Sequence, residues 1–208
     1  MSETNLKQHL IRFSQNWENY VNDCMEKTDN NHVYLTKDHE VYKLIIETMV
    51  SELETVIDER LYAVNASVGT SGLAGIPWLA VLDKEVTNTT QNGFYISYLF
   101  SSNAKKLYLS IALGAKQFED LYGNGNKTTT KIILAKKQFL KNFKKYAPYG
   151  SFDEMDLKDQ GSDFVRDFTR KMILQADNYA GGCFFTKSYD LVNPNFEEED
   201  LVNDLKRY

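Results

Sequence analysis

Several patterns in this 208-residue chain could carry chemistry. A nucleophilic triad needs a Ser or Cys near a histidine and an orienting acid. The three histidines, His9, His32 and His39, all fall in the helical N-terminal part, where surface or capping roles account for them. The run GNGNKT at 123–128 has the glycines of a phosphate-cradling loop. Such a loop needs glycine directly before its lysine so that the backbone can wrap the phosphates, and Asn126 stands there instead. DEMDLK at 153–158 sets Asp156 and Lys158 at an acid-x-lysine spacing found in many metal-dependent nucleases, but chance also produces it often. What remains is aromatic: Trp78 follows a proline, and Tyr95 and Leu99 lie four apart. Rings on a sheet face opposite the main core are either buried under helices or sandwich a flat ligand, and the residues alone leave both readings open.

These side chains depend on the elements that carry them. Residues 5–24 place Leu6, Leu10, Phe13, Trp17, Val21 and Cys24 three or four apart, the stripe of a core-facing helix. A second helical pattern runs over 38–61, with Val41, Leu44, Ile45, Thr48, Met49, Leu53, Val56 and Ile57, and Asp38 or Thr36 as cap. The period then changes from 3.6 to 2. LYAVNASVG and IPWLAVLD read as strands, TNTTQNG as a turn, and GFYISYLFSS as a strand with Phe94, Ile96, Tyr98 and Phe100 toward the core and Tyr95, Ser97 and Leu99 on the other side. LYLSIALG continues an antiparallel meander through Leu107, Leu109, Ile111 and Leu113. After Gly114 the helical period returns, with Ile132, Ala135, Phe139, Phe143 and Tyr146 on one side; a further helix covers 162–176, then the aromatic segment NYAGGCFFTKSYD, and FEEEDLVNDLKRY opens as an acidic helix start. The expected fold is α+β: a central, mostly antiparallel sheet over about residues 62–115, flanked by N-terminal and C-terminal helices.

With 42% hydrophobic and 13% aromatic residues the chain can bury a substantial core. No basic leader and no stretch near the roughly 18 apolar residues of a membrane span appears, so the expectation is a cytoplasmic protein without a membrane partner. Two cysteines, Cys24 and Cys183, lack the paired spacing of zinc sites; no metal or cofactor is expected. The net charge of -5 argues against nucleic acid until its distribution is read. Residues 121–152 hold Lys127, Lys131, Lys136, Lys137, Lys141, Lys144 and Lys145 and no Asp or Glu, so this segment is +7 and the remainder -12. Any one of these lysines can simply solvate a helix; seven of one sign make a candidate phosphate-binding surface.

Residues 68–114, VGTSGLAGIPWLAVLD and then NGFYISYLFSSNAKKLYLSIALG, resemble the N-terminal domain of McrB-type subunits of modification-dependent (type IV) restriction enzymes. The marks are a glycine-containing strand before I-P-W, a strand opening N-G-aromatic-Tyr and closing Y-L-F-S, and a third strand ending in leucine and glycine. The flanking helices and the tail resemble the family more loosely. The resemblance implies a domain, not itself an enzyme, that binds double-stranded DNA and recognises a modified base, methylated cytosine first, by flipping it into an aromatic pocket. Carried over by position, that pocket is Trp78, Tyr95 and Leu99. Where a relative inserts an aromatic wedge from a G-x-G turn, the turn Gly69, Thr70, Ser71, Gly72 offers Thr70. Phosphate contacts are expected from Lys105, Lys106, Lys127, Lys131, Lys136 and Lys137. The family couples such a domain to a downstream AAA+ GTPase domain and a separate nuclease subunit, which would make 1–192 the DNA-binding domain and 193–208 the start of a helical linker.

The energetics are consistent with such a site. Extruding a base costs a few kcal/mol and stacking on a ring returns roughly 1–3 kcal/mol, so pocket and phosphate contacts must act together. A cytosine methyl adds about 1 kcal/mol of apolar contact, a preference of up to about tenfold. Two other readings stand beside this one: a protein-interaction module of a defence system without base readout, whose binding would depend far less on salt, and a metal-dependent nuclease built on Asp156 and Lys158.

Overall fold

The computed structural model describes residues 4–26, 33–70, 72–148, 152–158 and 170–208, with side chains from 173 onward in the last stretch. The N-terminal stripe forms helix α1, Leu6–Glu26, which buries Leu6, Leu10, Phe13, Trp17, Tyr20, Val21 and Cys24. Its first turn has no residue of its own to satisfy the free amides; Glu198, from the other end of the chain, accepts from Leu6 N at 2.9 Å and Lys7 N at 2.6 Å. The pattern over 38–61 is shorter than its hydrophobic spacing suggests. Helix α2, Glu40–Lys43, starts behind His39, whose Nδ1 accepts from Val41 N at 3.1 Å, so the cap is neither Thr36 nor Asp38. It passes through a π-helical turn, Leu44–Thr48, into α3, Met49–Glu54, and stops. Thr55 donates its hydroxyl to Glu52 O at 2.7 Å, and Asp58 accepts from Arg60 N at 3.0 Å; these local bonds compete with the helix and turn the chain out of it.

Five antiparallel strands follow in sequential order: β1 Tyr62–Gly69, β2 Leu73–Asp83, β3 Phe94–Phe100, β4 Lys106–Leu113 and β5 Cys183–Asp190. The α+β arrangement is as the sequence indicates, but the sheet does not end near residue 115, because β5 pairs with β4. One sheet face carries Leu79, Val81, Tyr98, Phe100, Leu107 and Leu109 against α1, α3 and helix α7, Glu198–Arg207. Trp17 anchors this core, stacking on Phe13 and donating Nε1–H to Ser102 O at 2.8 Å in a buried bond. Residues of the 193–208 segment belong to the same core: Leu201 and Leu205 are buried, and buried Asp204 accepts from Tyr189 OH at 2.7 Å.

The other face carries α4, Lys116–Tyr122, α5, Asn126–Phe143, and α6, Arg170–Gly182. Of the expected 162–176 helix, 162–169 lie outside the described residues. The α5 stripe is buried only at its start: Ile132 is enclosed and Phe139 packs on Phe94 and Phe184, whereas Phe143 and Tyr146 stand in solvent. Among the described residues no helix is long and apolar enough to cross a membrane.

Candidate nucleic-acid interface

The antiparallel register brings the three expected pocket residues together. Trp78 on β2 pairs with Leu99 on β3, and Tyr95, four residues earlier on β3, lies on the same face. Tyr108, opposite Leu99, and Ile76 fill one end of that face, and the positions toward Tyr95 are small: Ala80, Ser97, Ser110, Ala112 and Cys183. Small side chains cannot reach the helices above, so a hollow remains, a cavity of about 200 Å³ lined by Trp78, Tyr95, Ser97, Leu99, Ala112 and Cys183. Its other walls are Gln175, Asn178 and Tyr179 of α6, Lys116 and Glu119 of α4, and Thr90 and Gln91 of the β2–β3 loop. An engineered apolar cavity of about 150 Å³ accepts benzene, so this one has room for a six-membered ring.

Gly114 holds the loop wall in place. A Cβ there would lie 2.5 Å from Asn92 N and Cα and 2.6 Å from Gln91 C, closer than packed atoms approach, and its amide donates to Gly93 O at 3.0 Å. This close approach gives the leucine-glycine end of β4 a physical reason.

The sheet floor is polar in places but uncharged, and the charged lining residues, Lys116 and Glu119, come from α4. Ser97 Oγ lies 3.1 Å from Ser110 Oγ and 4.0 Å from Cys183 Sγ. Burial pushes the Cys183 thiol and the Tyr95 and Tyr179 phenols above their ordinary pKa values, which keeps all three protonated at neutral pH. Tyr95 is largely buried at the wall of the hollow and stays protonated, so it contributes a ring without a charge. Gln175 Nε2 donates to Tyr179 OH at 2.9 Å. Asn178 Oδ1 accepts from Thr129 at 2.6 Å, and its Nδ2 reaches Glu119 Oε1 at 3.4 Å.

The other expected site residues fall at separate places. The β1–β2 turn carries Gly69, Thr70 and Gly72, while Ser71 lies outside the described residues. Gly69 has φ +125°, and a Cβ there would lie 1.9 Å from Gly72 O, so only glycine closes this turn. Thr70 is exposed. Lys105 and Lys106 sit exposed on the β3–β4 hairpin, about 20 Å along the strand from the Tyr95–Ala112 rung at ~3.4 Å per residue. Lys127 and Lys131 lie over the Tyr122 ring, 5.6 and 5.4 Å from its centre. Lys137 is exposed, whereas Lys136 is half-buried near Ala180 O, and burial lowers its pKa. The pocket therefore has an α4–α5 rim with lysines close by and a second basic point at the far end of the sheet.

Glu119, Gln175, Asn178, Tyr179 and Cys183 escape the sequence reading. Their one local signal is that 175, 178 and 179 share a helical face, which says nothing about the sheet beneath. Of the two catalytic motifs, GNGNKT forms the α4–α5 junction, where Thr128 is buried and donates to Gly123 O. In DEMDLK, Asp156 Oδ1 accepts from Lys158 N at 3.1 Å and Lys158 Nζ pairs with Asp177 at 2.5 Å. No group of three His, Cys, Asp or Glu placed to hold a metal ion occurs among the described residues. His9 lies 3.5 Å from Glu52, and His39 lies 3.3 Å from Asp23; His32 is outside the described residues.

A five-stranded meander with helices on both faces, an aromatic hollow on one of them and the I-P-W, N-G-F-Y and A-L-G marks can be compared with known families. The family described as MrcB-like, N-terminal domain, matches residues 21–208. The chain belongs to that family. The match extends the resemblance carried by 68–114 through β5 and α7, and the family is that of the McrB-like N-terminal DNA-binding domain of restriction systems. No curated protein and no solved structure matches the chain.

Proposed function

We propose that this MrcB-like domain reads a modified base in double-stranded DNA, 5-methylcytosine first, by accepting the base flipped out of the duplex between Trp78, Tyr95 and Leu99. The observation that carries the reading is the cavity of about 200 Å³ that these three side chains line over a floor of small residues. Stacking on the rings offsets the cost of unstacking, and the methyl group adds apolar contact against Leu99. Lys127, Lys131 and Lys137 on α5, with Lys105 and Lys106 on the hairpin, neutralise phosphates; Lys136, expected beside them, is half-buried near Ala180 O and is the weakest of these contacts. Thr70 is too small to stack in the vacated space, so the Gly69–Gly72 turn contributes backbone contact to the strand in place of a wedge.

In this reading the domain performs no chemistry of its own; the DNA-binding unit expected over 1–192 takes α7 of 193–208 into its core, this segment leads toward an AAA+ GTPase domain, a separate nuclease subunit cuts, and the setting is the cytoplasm. Titration of Trp78→Ala with methylated and unmethylated duplexes tests it. The expected result is loss of the preference for the methylated duplex with salt-dependent binding retained; a preference that survives the substitution removes the pocket assignment.

A further inference from the structure

We infer that Glu119 and Asn178 are the specificity-determining residues of the pocket, and that they select bases bearing an exocyclic amino group, the cytosine and adenine classes, over the keto bases thymine and uracil. This rests on the base-pocket reading above and deepens it. The aromatic walls cannot make the distinction, because every base has a π-face; hydrogen bonds along the edge of the flipped base must do it.

The polar groups lining the cavity differ in what they have left to offer. Ser97 and Cys183 are engaged with Ser110 and with each other, and Gln175 Nε2 is spent on Tyr179 OH. Lys116 is paired with Asp120 on its own helix. Thr90 and Gln91 line the loop wall as neutral groups, and Glu119 is the one carboxylate among the lining residues: among the described residues it enters no ion pair, its one side-chain hydrogen bond being the long 3.4 Å contact from Asn178 Nδ2. An ionised carboxylate only accepts. Asn178 is buried, and its orientation is fixed because Thr129 Oγ1 donates to its Oδ1 at 2.6 Å, which turns Nδ2 toward Glu119. The two side chains thus present an acceptor beside a donor.

That order complements an exocyclic amino group next to an unprotonated ring nitrogen, the edge shared by cytosine (N4 and N3) and adenine (N6 and N1). Carboxylates are suited to accept from cytosine N4. Thymine and uracil offer the reverse, a carbonyl beside an N–H, and would set O4 lone pairs against the Glu119 carboxylate.

The test compares 5-methylcytosine with thymine at one position of the same duplex. The two share the methyl group, and each is placed opposite an abasic site so that unpairing costs the same. The 208-residue wild-type chain is expected to favour 5-methylcytosine by about tenfold or more. Glu119→Gln, a rim substitution on a helix with no buried residue, supplies donor and acceptor alike and is expected to reduce the ratio to about twofold or less, whatever it does to overall affinity by removing a negative charge. Trp78→Ala, measured in parallel, keeps the two claims apart. If Trp78→Ala weakens binding to both duplexes while wild type and Glu119→Gln show the same ratio, the assignment of Glu119 is overturned and the pocket stands. If Trp78→Ala binds both duplexes as the wild type does, the pocket reading fails and this inference with it.

Discussion

The two faces of the sheet are made by the same strands and meet helices in opposite ways. On one face β3 and β4 place Tyr98, Phe100, Leu107 and Leu109 against α1, α3 and α7, and all four are buried with no more than 1% of their surface accessible. On the other, the same two strands place Ser97, Ser110 and Ala112 beneath α6, with Trp78, Tyr95 and Tyr179 standing around the gap. Because strand side chains alternate, one parity carries large residues throughout its centre, whereas the other mixes Ile76, Trp78, Tyr95, Leu99 and Tyr108 with small residues and leaves a hollow among them. The sealed face holds the hollow's walls in register; the hollow sacrifices contact energy that a filled core would recover.

The sharpest way to test this division is to cut a tryptophan from each face. Trp17→Ala removes a fully buried indole and orphans Ser102 O, and should cost roughly 3–5 kcal/mol of stability in urea unfolding. Half-buried Trp78→Ala should cost only about 1–2 kcal/mol while abolishing base discrimination. Equal losses of stability would mean that the second face is core like the first. Adding volume reverses the contrast. Leu109→Phe overpacks the sealed face and should destabilise by about 1–3 kcal/mol. Ala112→Leu grows into the cavity, should leave the unfolding midpoint nearly unchanged, and should block entry of the base, read as loss of the preference for methylated duplex.

That comparison also explains how much was legible in the sequence. Period-2 alternation through 94–100 and 107–113 separates the two faces and sets Tyr95 and Leu99 together, whereas Trp78 joins them in the sequence only through the family resemblance, its pairing with Leu99 being visible in the sheet register. β5 was hidden for physical reasons. It follows α6 with no turn residues between Gly182 and Cys183, Phe185 adopts φ +58°, and the β4–β5 register shifts between Leu109 and Ile111; a bulge breaks the alternation that would have announced a strand. Helix 38–61 was overextended because Val56 and Ile57 continue the apolar spacing while Thr55 and Asp58 supply competing local bonds. The site was legible where it lies on strands and illegible where it lies on helices: Glu119, Asn178 and Tyr179 are ordinary helix residues until the fold sets them across from Tyr95.

A smaller effect probes the loop wall of the hollow. Gly114→Ala puts a methyl group where the backbone of Gln91 and Asn92 already sits. The sheet loses little, since Gly114 follows the last residue of β4, but the loop carrying Thr90 and Gln91 must move. The expected outcome is a several-fold weaker affinity for modified duplex with affinity for unmodified duplex unchanged, measured by equilibrium titration. A parallel loss for both duplexes would mean that the loop contacts the backbone and not the base.

The smallest effect separates two adjacent lysines. Lys137 is exposed on α5, whereas Lys136 is half-buried beside Ala180 O, where desolvation disfavours its charge. A lysine that displaces counterions from a phosphate contributes about one unit to the slope of log affinity against log salt. Lys137→Ala should therefore lower the magnitude of that slope by about 1 and weaken modified and unmodified duplexes alike, since phosphate contacts carry no sequence information. Lys136→Met should leave the slope nearly intact. Burial lowers the Lys136 pKa, so its charged form is less favourable folded than unfolded; the penalty is full below the lowered folded-state pKa, fades as the pH rises from there, and is gone above the unfolded lysine pKa. Replacing this lysine with an uncharged side chain of similar length should thus maintain or raise stability at neutral pH. If the slope instead falls with Lys136→Met and not with Lys137→Ala, the DNA backbone runs between α5 and α6, close against the mouth of the hollow, and the outer face of α5 is merely solvated.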